Sequence, residues 1–282
     1  MKTLGYINSL SVIKSSSPSS ISLHAVNPLT GIDMGIPLNI IQNIFTTLHY
    51  GEDITTYKSV LLQFMIGYYT YGKDRYNDAL EYEESEYETA KSELYKLYIK
   101  YKDVYKISFE TMLLAIIYVL VFDDKTAYNL PFILLLYSSE YYKQIKLINP
   151  WIKPLYISVM WSLSTVALPC VLHDHDYSIL ASPMDYLPCV FTMFASSVIL
   201  DIRDIKEDTV NDVPTLPVKY GLYKSQQIII ALLALSSFIF GMNQNYLANP
   251  TGNIFFELLN LGLSSYVFGL NDTHIMQNIT EY

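Results

Sequence analysis

Apolar runs recur along the whole chain, at Ile36–His49, Tyr57–Tyr71, Ile107–Phe122, Tyr128–Tyr142, Leu155–Leu172, Met184–Leu200, Gln226–Met242 and Ile254–Leu270. Several approach the roughly 20 residues that a helix needs to cross a bilayer. In hydrocarbon every backbone N–H and C=O must be satisfied inside the protein, so such runs become helices packed on one another. The composition agrees, at 51% hydrophobic and only 16% charged, with a mean hydropathy of +0.22. The expected fold is all-α: a polytopic membrane helical bundle of about eight to nine transmembrane helices around a central cavity. Residues 1–32 are Ser-rich and carry no acid. They read as a flexible terminus, with a faint transit-peptide character as the alternative, ahead of a single membrane-embedded domain over 33–282.

Charge and motif content narrow the function. The net charge of −9 comes largely from one acidic stretch beginning near Glu81, and there is no basic patch to neutralise a nucleic-acid backbone. No nucleic-acid partner is expected. Cys170 and Cys189 lie in apolar runs and read as packing residues. His173-Asp174-His175-Asp176 and Asp123-Asp124 read as loop and turn.

Two carboxylate clusters stand out. The run Met193–Leu200 ends abruptly in Asp201, Asp204 and Asp208. If the helix continues, offsets of 0, 3 and 7 put all three on one face, where like charges repel. A cation among the oxygens would relieve that, and an all-oxygen site suits Mg²⁺ or Mn²⁺. The run Val60–Tyr71 likewise leads into Asp74 and Asp78, four apart. An even number of crossings separates the two clusters, so both emerge at the same end. That end also collects 16 of the 18 Lys and Arg residues, leaving Lys58 and Lys125. The positive-inside rule then makes it cytosolic or the organellar equivalent, on a multi-pass integral membrane protein.

The second cluster continues as DIRDIKEDTVNDVPTLPVKYG over 201–221, which resembles the DxRDxxxDxxxGxxTLPVxxG signature of the UbiA superfamily of intramembrane prenyltransferases. Asp212 stands where that family usually has Gly. Asp74 and Asp78 fit the family's first motif, but Thr70 and Tyr71 replace its upstream Asn-Asp. The resemblance implies Mg²⁺ held by Asp74, Asp78, Asp204 and Asp208, with Asp201 binding metal or orienting a diphosphate. Arg75, Lys153, Arg203 and Lys219 are the basic candidates for the diphosphate. The implied partners are a prenyl diphosphate, a lipophilic acceptor and the lipid bilayer. A terpene cyclase using the same site, and a non-enzymatic transporter or binding protein, stay open as alternatives. Glu81, one turn beyond Asp78, either completes the first cluster or simply begins the acidic stretch. That stretch, with Tyr98, Tyr101 and Tyr105 at helical spacing, reads as an amphipathic helix or a solvated loop.

Overall fold

The computed structural model describes residues 35–82, 92–122, 130–138, 141–174, 181–210, 212–243 and 245–269, and among these there is no strand. The expected flexible terminus 1–32 lies outside them. So do most of the acidic stretch, the pair Asp123-Asp124 and the loop following Asp174. A helix occupies each of the eight apolar runs. Among the described residues four segments are long and apolar enough to cross a membrane, at Lys102–Val121, Ile152–His173, Pro183–Arg203 and Leu222–Gly241.

In chain order the helices are α1 (Gly35–Tyr50), α2 (Tyr57–Gly67), α3 (Lys73–Tyr82), α4 (Ser92–Lys100), α5 (Lys102–Val121), α6 (Leu130–Ser138) and α7 (Tyr142–Ile145). They continue as α8 (Ile152–Ser162), α9 (Leu168–Asp174), α10 (Pro183–Arg203), α11 (Ile205–Val210), α12 (Leu216–Tyr220), α13 (Leu222–Gly241) and α14 (Pro250–Gly269). Thr56 starts α2 with a capping box, its side chain accepting from Ser59 N while Ser59 Oγ accepts from Thr56 N. Pro183 opens α10, where its missing N–H costs nothing.

Two junctions are wider than α-helix. Tyr68–Gly72 joins α2 to α3, and Leu163–Ala167 joins α8 to α9, each as a π turn. Such turns leave carbonyls without their usual donors, and local hydroxyls and an amide fill in. Thr70 Oγ1 donates to Ile66 O at 2.7 Å, and Thr165 Oγ1 to Trp161 O at 2.7 Å. Gln63 Nε2 donates to Ser164 O at 2.7 Å from the neighbouring helix. π turns inside helices concentrate at functional sites, and both of these border the cavity described below.

Two apolar cores hold the bundle. One gathers α1, α2, α5, α8 and α9 around Phe45, Leu62, Ile116 and Leu168. The other packs α10 against α12 and α13 through Val198, Ile202, Leu216, Ile229 and Leu233. Helix α4 folds back on α3, burying Tyr95 and Tyr98, while Tyr101 stays exposed. The amphipathic spacing thus serves a helical hairpin. Its inner face is aromatic, with Tyr98 edge-on to Tyr105 at 4.6 Å and to Tyr76 at 6.1 Å.

At the start of α10 a polar knot ties three segments together. Asp185, 8% exposed, accepts from Asn243 Nδ2 at 2.5 Å and from Ser182 Oγ, and pairs with His49 Nδ1 at 2.7 Å. Asn245 Nδ2 donates to Leu48 O at 2.9 Å. Removing the shared acceptor strands several polar groups together. Asp185→Ala is expected to cost on the order of 3 kcal/mol, seen as a lower unfolding midpoint in detergent, with Asp185→Asn recovering part of the loss.

Candidate active site

The site is built on α8. Its second residue, Lys153, reaches across to the last turn of α10, where Lys153 Nζ lies 2.5 Å from Asp201 Oδ1. The same ammonium is 3.9 Å from Asp208 Oδ2 in α11. Asp201 is 2% exposed, so its charge is tolerable only with a cation in contact. One turn further along α8, Tyr156 and Ile157 line a cavity of about 170 Å³, followed by Met160 and Trp161. Lys153 and the cavity wall therefore share a helix face.

The far side of that cavity carries the first cluster. Thr70 and Tyr71 from the π turn, and Lys73, Asp74 and Asn77 from α3, line part of the wall. Ile66, Ile116, Leu120, Phe132, Leu136 and Leu168 line the rest. The lining is thus mostly apolar and aromatic, with Lys73, Asp74 and Asn77 among it. Tyr71 stacks on Trp161 at 5.2 Å with 15° between the ring planes. Thr70 is held by its bond to Ile66 O. The two positions that depart from the family's Asn-Asp are therefore wall residues.

Tyr142, at the start of α7, links the clusters. Its ring stacks on Tyr156 at 5.6 Å. The charges of Asp74, Asp201 and Asp78 all reach its phenol, so both carboxylate clusters act on one side chain. Lys146, one turn on, sits 6.0 Å from the centre of the Tyr142 ring, and its charge also reaches Asp208. The crossing count places Lys146 at the cluster end among the basic residues, but neither it nor Tyr142 was expected as a site residue. The signal was available: their loop falls at the cluster end by the crossing count, and their spacing of four puts them on one helical face.

The second cluster differs from the expected continuous face. Helix α10 ends at Arg203, and Asp204 leaves the helical conformation at φ −96°, ψ 10°. Arg203, directly before it, grips its carboxylate from both sides, Nε to Oδ1 at 2.8 Å and Nη2 to Oδ2 at 2.9 Å. The break relieves the stacking of three like charges that an unbroken helix would impose. Among the described residues no three His, Cys, Asp or Glu side chains come close enough to share an ion. Burial pushes the Asp208 carboxyl above the usual carboxylate range, with Lys153 pulling it down and Asp204 pushing it up.

The remaining basic candidates divide. Arg75 lies beside the first cluster, close enough for its charge to act on Tyr71. Arg203 is occupied with Asp204 on an exposed surface. Lys219 is exposed, its ammonium 5.7 Å from the centre of the Tyr220 ring, and this places it with Tyr220 instead of with the carboxylates. The side chain of Glu81 lies outside the described residues. His173 is exposed at the end of α9 with its ring 5.8 Å from that of Tyr50, while the rest of its tetrad is outside the described side chains.

The segment after Asp208 explains the other motif positions. Val213 N donates to Asp208 O at 2.9 Å and Asp212 N to Thr209 O at 3.4 Å, with Asp212 left-handed at φ 52°. This is a Schellman cap, which calls for a residue tolerant of positive φ, ordinarily Gly. Asp is one of the few others that tolerate it. Gly221, at φ 82°, turns the chain into α13. Between them Thr215 and Leu216 are fully buried, the latter in the α10–α13 core. The cap is what anchors Asp208 beside Lys153. Asp212→Gly is expected to leave stability within about 0.5 kcal/mol of the parent. Asp212→Val should lower it by about 1–2 kcal/mol, measured by chemical unfolding in detergent.

No protein-family model, curated protein or solved structure matches the chain, and the functional reading rests on its motifs and this geometry.

Proposed function

We propose that this chain is a membrane-embedded, Mg²⁺-dependent prenyltransferase of the UbiA type. It would ionise an allylic prenyl diphosphate and transfer the prenyl group to a lipophilic acceptor. One observation carries the reading: Asp74 lies in the wall of a cavity otherwise lined mostly by apolar and aromatic side chains, and Tyr156, one turn along α8 from the Lys153 that pairs with Asp201, lines the same cavity. That is the shape of a site for a charged head on a hydrocarbon tail. The remaining helices would complete eight to nine passes through the bilayer, with the carboxylate end on the cytosolic side or its organellar equivalent.

The donor set fits a hard divalent cation. Among the described residues Asp201 Oδ2 and Asp208 Oδ2 are buried without a hydrogen bond, the latter with Lys153 Nζ 3.9 Å away, and such oxygens ordinarily have a partner. Asp74, Asp78, Asp204 and Asp208 would hold two or three ions between the two clusters, with diphosphate supplying further oxygens because no three of the described carboxylates converge on one point, and Asp201 would bind metal or orient the diphosphate. When bound, Mg²⁺ supplies neutralisation of the charge that grows on a departing diphosphate. Lys153, Lys146 and Arg75 add positive charge at the same end. The prenyl tail would lie along Ile116, Leu120, Phe132 and Leu136. The stacked pair Tyr71–Trp161 and the rings of Tyr142 and Tyr156 keep water from the reacting carbon, and their faces favour positive charge there.

The aromatic wall also favours a second reading, a cyclase in which the substrate's own double bond captures the positive carbon. Product identity separates the two, since a cyclase makes its product with no acceptor present. The test is diphosphate release by the protein in lipid vesicles, given prenyl diphosphates of several lengths, Mg²⁺ and a membrane extract. Release with a prenylated lipid product is expected. Asp208→Ala should cost at least about a hundredfold in rate while inserting normally, and excess EDTA should abolish release. No release with any chain length, or full turnover by Asp208→Ala, would overturn the proposal. Binding without release would point to a transporter.

A further inference from the structure

Lys153 stands where the carboxylates would receive a metal. Its ammonium touches Asp201 at 2.5 Å and approaches Asp208 at 3.9 Å. Its side chain is 16% exposed, against 2% for Asp201 and 13% for Asp208. Two carboxylates share one ammonium, and the trio has room for more positive charge. Among the described residues Asp201 Oδ2 is buried without a hydrogen bond, and Asp208 Oδ2 has only the ammonium at 3.9 Å near it.

Resting on the prenyltransferase reading above, we infer that Lys153 is a place-holding cation. It occupies Asp201 and Asp208 while the site is empty and yields them when metal arrives with diphosphate. Three features make the exchange feasible. Lysine is a point charge on a flexible four-carbon stem, and it can swing away without breaking a planar fork of bonds. Its position at the N-terminal end of α8 puts its root at the mouth of the site and leaves the helix undisturbed. The freed ammonium stays beside the carboxylates, where a diphosphate arriving with the metal offers new anionic oxygens. In the empty state the ammonium disfavours metal alone, because both cations need the same two carboxylates. The consequence is ordered loading: divalent ion binds well only together with diphosphate.

The test is Mn²⁺ binding to the full chain in nanodiscs, followed by the electron paramagnetic resonance of free Mn²⁺, with and without inorganic pyrophosphate. Wild type should bind Mn²⁺ weakly alone and at least tenfold more tightly with pyrophosphate. Lys153→Met should bind Mn²⁺ alone about tenfold more tightly than wild type and show a smaller pyrophosphate effect. Its unfolding midpoint should be low without metal and rise with Mn²⁺ by more than that of wild type. If Lys153→Met does not fold, Lys153→Arg carries the test. Its fork should hold Asp201 more firmly, weakening Mn²⁺ binding alone at least threefold. Equal Mn²⁺ affinity in wild type and whichever variant folds would overturn the inference and leave the metal reading intact. Absence of Mn²⁺ binding in every protein, with pyrophosphate or without, would overturn the metal reading together with it.

Discussion

A carboxylate removed from water needs a positive partner, and at the second cluster that partner comes from a different helix. Asp201 closes α10 and Lys153 opens α8. The pair therefore brings the C-terminal end of one helix dipole against the N-terminal end of another. The ammonium meets the negative end and the carboxylate the positive end. Both the Coulomb attraction and the dipoles favour this register over a slide of one turn, and the close α8–α10 packing accords with it. Everything lower on α8, including the cavity wall, is positioned by that contact.

The cavity owes its walls to the two π turns. A π turn adds a residue to the helix and rotates the next helical segment about the axis. Here it turns Tyr71 onto Trp161 and leaves carbonyls that Thr70, Thr165 and Gln63 satisfy. The extra width lets two long aromatic side chains lie flat against each other without forcing the helices apart. The same arrangement accounts for Thr70 and Tyr71 standing in place of an Asn-Asp pair: in this chain they build wall, and Asp74 alone of the first cluster lines the cavity.

The ends of α10 carry different polar chemistry. Asp185 and Asp201 are separated by about 24 Å along the axis. At one end a carboxylate is saturated by Ser182, His49 and Asn243. At the other, carboxylates keep oxygens without donors. A saturated buried acid rigidifies the fold, while an undersaturated one remains available to a ligand. That contrast separates the structural end of the bundle from the reactive one more clearly than residue type does.

Much of this was legible in the sequence. Hydrophobic runs are local, so the eight helical segments and the all-α class could be read from them, as could the carboxylates that end two of the runs. The motif spacing placed a chain-turning Gly221 and marked Asp212 as unusual, because backbone conformation is also local. Partnerships were not legible. Nothing in the spacing says that Arg203 closes on its neighbour Asp204, that Lys219 goes to Tyr220, or that Lys153 goes to Asp201. Nor does it reveal that charges of both clusters reach Tyr142. A side chain's charge and reach belong to its own residue, but the group it meets depends on how helices far apart in the chain pack together. The tertiary structure alone decided which carboxylates were neutralised and which kept oxygens to offer.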